Sequence, residues 1–145
     1  MGMINTITVV GTGLLGGVYT AFTVMVIPAL RQLNNTDATT TMNHINRAAE
    51  SGPFIVLFAG TAITTTTLGI TALQHGNTTD LIVAGASLLT TAITIAANVP
   101  LNRTLNTQGA HYWPHYAQHW TRWNTLRALA AAASVGVAAV GLGSR

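Results

Sequence analysis

Charged side chains are missing from four long stretches of the chain. Residues 1–30, 51–79, 81–102 and 128–144 hold none, giving uninterrupted runs of 30, 29, 22 and 17 residues. A hydrocarbon layer about 30 Å thick is crossed by about 20 residues of helix, with a working range of about 17–25. The pattern predicts four transmembrane helices at about 7–30, 53–73, 81–99 and 126–142. Pro53 suits a first helical turn, and residues 75–80 form a short polar hairpin between the second and third spans. A β-barrel would show short alternating strands instead of these runs. The first run lacks a basic leader and is longer than a signal core, so it is expected to be a retained span.

Between the apolar runs lie two polar linkers, 31–52 and 103–125. Residues 39–49 read as a short amphipathic helix with Met42, Ile45 and Ala49 on one side, suited to the headgroup region. Residues 113–125 read as an interfacial helical extension leading into the fourth span. The expected fold is therefore all-α: an integral membrane four-helix bundle in one transmembrane domain, 1–145. It carries the short helix between the first two spans and the extension before the last.

Composition sharpens this picture. Of 145 residues 49% are hydrophobic and only 6% charged, where soluble domains carry about 25%. The mean hydropathy of +0.43 is held down by 24 threonines, whose hydroxyls can bond back to the preceding helical turn and so are tolerated in lipid. No cysteine is present, which excludes disulfides and thiolate chemistry. Nucleic acid is not an expected partner, because the net charge is only +3 and the arginines are dispersed. Arg31, Arg47, Arg103, Arg122 and Arg127 fall on or beside the two long linkers, and Arg145 alone on the other side. That asymmetry predicts cytoplasmic linkers and both termini outside. Gly13 and Gly17 have the spacing that lets helices approach closely, either within the bundle or between copies in a homo-oligomer.

The chemistry-bearing residues cluster in the polar segments. Asn98 and Asn102 are one turn apart around Pro100, a residue that frees a backbone carbonyl. They either clamp neighbouring helices or line a wet pocket. All three tryptophans fall in 113–127. A helical wheel at about 100° per residue puts Trp113, Tyr116, Trp120, Trp123, Asn124 and Arg127 on one stripe about 100° wide. An aromatic belt at the membrane boundary needs no Asn or Arg on that stripe, so a pocket for an anion, a carbonyl or an oxyanion is favoured. His111, His115 and His119 lie on another face and read as a polar surface. A copper or iron site built from His115, His119 and His44 is the alternative.

These elements together resemble the anthrone oxygenase-like family of small membrane proteins. The resemblance rests on Val26-Ile27-Pro28-Ala29-Leu30, Met42-Asn43-His44-Ile45-Asn46, Asn98-Val99-Pro100-Leu101-Asn102 and Trp120-Thr121-Arg122-Trp123-Asn124 with Arg127. It implies a membrane oxygenase that oxidises a flat, apolar phenolic or anthrone-type substrate with dioxygen, with no cofactor required. Arg127, with Asn124 or Asn98, would then stabilise the enolate oxygen, and His44 would be the base. Trp113, Tyr116, Trp120, Trp123, Asn46 and Asn102 would bind the substrate. The expected partners are the lipid bilayer, the aromatic substrate and dioxygen. Two other classes stay open: a non-catalytic partner or assembly subunit, and a histidine-ligated metal-dependent oxidase.

Overall fold

The computed structural model of the protein describes residues 2–143; Arg145, used in the charge asymmetry, lies outside them. Those residues form an all-helical bundle. The first run is α1 (Met3–Ala21), a π turn over Phe22–Val26 and the short α2 (Ile27–Leu30). Next come α3 (Asn35–Ser51) and α4 (Pro53–His75). The third run is α5 (Thr78–Ile93), a second π turn over Thr94–Asn98 and α6 (Val99–Gln108). A 3-10 turn, Gly109–Tyr112, leads into α7 (Trp113–Gly143).

Several boundaries differ from the hydropathy pattern, each for a local reason. The linker helix α3 begins at Asn35 and not near 39, because the Asn34 side chain caps it by accepting from the Asp37 amide at 2.9 Å. The second and third long helices are joined by only Gly76 and Asn77. Gly76 takes the left-handed conformation (φ 66°) that closes α4, and Asn77 caps α5 by accepting from the Asp80 amide at 3.0 Å. Pro100 does not end the third run, which continues to Gln108. The interfacial extension and the fourth span are not separate elements but one 31-residue helix, since no Gly or Pro interrupts 115–135. At 1.5 Å per residue α7 is about 46 Å long, so its first turns extend beyond an apolar layer of about 30 Å.

Both π turns end two residues before a proline: Val26 before Pro28 and Asn98 before Pro100. A proline within a helix removes one amide donor and pushes its ring against the carbonyl one turn earlier. Widening that turn relieves the clash without breaking the helix.

Contacts between elements define the topology. Ser134 donates to the Val83 carbonyl at 2.9 Å, and Asn98 donates to that of Trp120, so α5 and α7 run antiparallel. Asn124 reaches Tyr19 while Gly16 meets Ala131, so α7 is also antiparallel to α1. The Gly11–Thr61 and Gly69–Ala84 approaches pack α4 against α1 and α5 in the same alternating sense. Among the described residues three helical stretches are long and apolar enough to cross a membrane: Met3–Leu30, Pro53–His75 and Thr78–Gly141, the last folded back on itself as α5 and α7. Outward-facing side chains such as Val10, Val56, Ile63, Ile95 and Leu129 are exposed and apolar, as expected of lipid-facing surfaces.

The interior has two parts. Around α3 the core is large and aromatic, with Ile27, Leu30, Met42, Leu105, Trp113, Tyr116 and Trp120 in one cluster. The mid-bundle is small and hydroxylated. Ser87 shares hydrogen bonds with Thr12 (2.6 Å) and Thr65 (3.1 Å), tying three helices together. At the opposite end Asn5 donates to Asp80, which also accepts from Asn77 at 2.9 Å. Small residues permit close approach where lipid offers little hydrophobic drive for helix association. The close approaches are at Gly11 and Gly16, not at the Gly13–Gly17 pair. A Cβ on Gly16 would lie 2.8 Å from that of Ala131, whereas one on Gly17 would meet nothing within 4 Å. Gly16→Val is therefore expected to destabilise the bundle by about 1–3 kcal/mol, and Gly17→Ala to be near neutral. Thermal unfolding of the two variants in detergent checks this.

Candidate functional site

The polar stripe of α7 turns inward at Arg127, which is 5% exposed. Its two terminal nitrogens donate to the Asn124 Oδ1 at 2.7 Å and to the Thr94 Oγ1 at 3.0 Å. The guanidinium carbon lies 4.2 Å from the centre of the Tyr19 ring and 5.4 Å from that of Trp120. All these partners are neutral. Ring faces attract a cation, and the effect grows as water is removed, but the charge is left without a counter-ion in this cage. Arg127 Nε has no hydrogen-bond partner among the described residues.

Asn124, fully buried, holds the cage to the first helix. Its amide nitrogen donates to the Tyr19 carbonyl and to Thr23 Oγ1, each at 2.7 Å. Asn98 approaches from the second π turn, where its Nδ2 makes a long 3.4 Å bond to the Trp120 carbonyl. Asn98 Oδ1 and Trp120 Nε1 are buried and unpartnered among the described residues. With Tyr19 Oη and Asn46 Nδ2, five buried polar atoms without a hydrogen-bond partner among the described residues belong to residues lining one space. An unpaired buried donor or acceptor costs about 1–3 kcal/mol.

The space is a cavity of about 370 Å³, bounded by α1, α3, α4, α6, α7 and both π turns. Its size lies within the range of small-molecule sites, about 300–1,000 Å³. The walls are largely apolar and aromatic, from Val18, Tyr19, Phe22, Ile45, Phe54, Phe58 and Trp120. Asn46, Asn98, Asn102, Asn124, Thr94 and Arg127 supply polar points. Ile55 and Ile95, 40% and 62% exposed, form part of the rim, so the cavity opens on the lipid-facing side of the bundle. Glu50 lies at the same rim, at the end of α3 just before Gly52 and Pro53. Gly52 permits this tight turn: a Cβ there would lie 2.7 Å from the Ala48 carbonyl oxygen.

The structure thus gathers Arg127, Asn124, Asn98, Trp120, Asn46 and Asn102 around one cavity. Four other expected residues are elsewhere. His44 is on the exposed side of α3, its Nδ1 accepting from Arg47 at 2.9 Å, and does not line the cavity. An amphipathic helix presents its cavity side one position later, at Ile45 and Asn46. Trp123 is 41% exposed, because the buried arc of α7 runs through Ala117 and Asn124 and leaves the edge of the stripe outside. Tyr116 is fully buried behind the cavity, where it donates to Asn102 Oδ1 at 2.8 Å and so orients that amide. Trp113 packs beside Tyr116, ring centres 5.7 Å apart, and lines a separate hollow next to Arg31.

The histidine alternative loses its third ligand. His115 and His119 stack at 3.9 Å, with His119 Nδ1 donating to the His115 carbonyl at 2.9 Å. No group of three potential His or carboxylate ligands forms among the described residues, so His44 does not join them. Tyr19, Phe22, Thr94 and Glu50 were not anticipated as site residues. Phe22 and Thr94 belong to the π turns, which the two prolines signal.

Residues 42–137, which run from within α3 into α7 and carry most of this cavity, match the family model described as anthrone oxygenase. The chain belongs to the anthrone oxygenase family. No curated protein and no solved structure matches it. In this family member the matched segment supplies Arg127, Asn124, Asn98 and Trp120, while Tyr19 and Phe22 come from the first helix outside it.

The inward and outward residues are separable by stability. Asn124→Leu leaves Arg127 and the Tyr19 carbonyl each short of a partner, and is expected to cost about 1–3 kcal/mol or more. Exposed His44→Ala and Trp123→Leu should stay within about 0.5 kcal/mol of wild type. Thermal or denaturant unfolding in detergent measures the difference.

Proposed function

We propose that the protein is a membrane-embedded oxygenase that converts a flat, apolar anthrone-type phenol to the quinone with dioxygen, without a cofactor. The observation that carries the reading is the caged, uncompensated cation of Arg127, whose Nε, like the neighbouring Trp120 Nε1, has no hydrogen-bond partner among the described residues, both side chains belonging to the lining of an apolar cavity. An anthrone that loses its methylene proton becomes an enolate whose charge rests on the carbonyl oxygen. Arg127 would receive that oxygen in a site from which water is largely excluded, where fixed donors act most strongly. Asn98 would accept from a phenolic hydroxyl through its free Oδ1, and the rings of Trp120, Tyr19 and Phe22 would hold the aromatic plane. The electron-rich anion can then reduce dioxygen directly, giving a peroxide that collapses to the quinone and water.

The rim at Ile55 and Ile95 fits entry of an apolar substrate from the bilayer. The reading takes α1, α4, α5 and α7 as four spans. Arg31, Arg47, Arg103 and Arg122 lie at exposed positions in the two linkers, which favours cytoplasmic linkers and both termini outside. Arg127, being buried, drops out of that count. Self-association through the outward-facing Gly13 and Gly17 is compatible with this reading, although every residue invoked at the cavity comes from one chain.

A non-catalytic partner subunit is the second reading. The bonds from Asn124 to Tyr19 and Thr23 favour it, since they would fasten helices whether or not anything binds.

Oxygen uptake by the detergent-purified protein, supplied with an anthrone and corrected for autoxidation, decides between the two. Arg127→Met is expected to lower turnover about 10²–10³-fold, the usual loss when one oxyanion donor is removed, with the helical circular dichroism retained. Unfolding of the variant, or uptake by wild type no greater than autoxidation, favours the structural reading. Turnover is also expected to survive metal chelators and the His115→Ala/His119→Ala double substitution. Loss of activity together with loss of a bound metal on that double change would favour the metal-dependent oxidase.

A further inference from the structure

The proposed chemistry needs a group to take the methylene proton, and the histidine expected in that role lies outside the cavity. Three titratable side chains line the cavity: Tyr19, Glu50 and Arg127. A phenol and a guanidinium ordinarily keep their protons at neutral pH, which leaves a carboxylate as the acceptor. Glu50 is the only glutamate in the chain.

Its position suits the task. Glu50 is the last residue but one of α3 and lines the cavity together with Pro53 and Phe54 of α4, whereas Arg127 lies in the buried interior. The cavity therefore has a cationic, donor-rich inner end and an anionic outer end. An anthrone has the same polarity across its central ring, with the carbonyl on one edge and the acidic methylene on the opposite edge. Glu50 is exposed, and its carboxylate makes no hydrogen bond or ion pair among the described residues, so it can exchange its proton with the surroundings. The Gly52 turn, which the Ala48 carbonyl would deny to any residue with a side chain, holds the end of α3 against the start of α4.

We infer that Glu50 is the general base that removes the methylene proton of the substrate while Arg127 receives the carbonyl oxygen at the far end of the cavity. The inference rests on the proposed oxygenase reading. In the first step the C–H bond breaks, its proton goes to the Glu50 carboxylate, and the electron pair moves through the ring to the oxygen beside Arg127. The enolate carbon then gives two electrons to dioxygen and forms a C–O bond. The resulting peroxide takes up the proton held by Glu50. In the last step Glu50 removes the second proton from the same carbon as the O–O bond breaks, leaving a carbonyl, and the departing hydroxide takes that proton to become water. The sum is one anthrone and one dioxygen to one quinone and one water.

Proton removal can be observed without oxidation. Under strictly anaerobic conditions in deuterated buffer, the loss of the anthrone methylene signal by NMR reports exchange alone, after subtraction of the protein-free rate. The full-length wild-type protein in detergent is expected to accelerate this exchange, and Glu50→Gln to lower the acceleration at least 10²-fold, in the usual range for a general base. Glu50→Asp should retain part of it. Anthraquinone, which cannot be oxidised further, should quench tryptophan fluorescence equally in wild type and Glu50→Gln, showing an intact cavity. Exchange by Glu50→Gln at the wild-type rate would overturn the assignment. So would wild-type oxygen uptake without accelerated exchange, and either result leaves the oxygenase reading standing. Absence of both exchange and uptake in wild type would remove the oxygenase reading and the role of Glu50 with it.

Discussion

A buried arginine without a counter-ion organises this structure. Removing a charged group from water costs several kcal/mol even after relaxation, and the surroundings of Arg127 are arranged to contain that cost with neutral groups. Two aromatic faces, an amide oxygen and a threonine hydroxyl take the place of a carboxylate. Each of these partners is itself held: Asn124 by Tyr19 and Thr23 of the first helical run, and Thr94 by its bond to the Thr90 carbonyl at 2.8 Å. A carboxylate beside Arg127 would neutralise it and occupy its donors. Neutral partners leave the cation available to a ligand, which connects the packing of four helices to the chemistry the cavity can support.

The two helical runs that bring Phe22 and Thr94 to the cage each carry a π turn just before a proline. The two π turns are the places where the first and third runs depart from regular α geometry, and both contribute to the cavity wall. Phe22 comes from one, and Thr94, Ile95 and Asn98 from the other. A π turn shifts the phase of the side chains that follow it, so residues after the turn face a direction a regular helix would not give them. Away from this site the bundle is built from Gly, Ser, Thr and Ala in close contact. Large side chains are gathered around α3, where they close the end of the bundle that carries the cavity.

The carbon-rich runs and the polar linkers were legible as a membrane helical bundle because the constraint is one-dimensional: a span must be long and free of charge, and that can be counted along the chain. The family was legible too, through short motifs with fixed spacing. On α7 the 3.6-residue period brought Trp120, Asn124 and Arg127 to one face, and the structure keeps them there. The same wheel included Trp123, since a wheel gives relative angles within one helix and not the direction in which its neighbours lie.

What the amino-acid sequence determined by itself was therefore the fold class, the polar stripe and the family motifs, all of them properties of residues close together along the chain. Tertiary structure decided which of those residues share a space. Tyr19 and Arg127 are 108 positions apart, and nothing in either local segment announces that a ring of the first helix lies against the guanidinium. His44 was the proton acceptor expected from the sequence, and Glu50, six positions further along the same polar helix, was not. The packing of α3 on its neighbours left His44 away from the cavity and placed Glu50, itself exposed, at its rim. Local spacing specifies a face, but the partner of that face is chosen by the packing of the whole bundle.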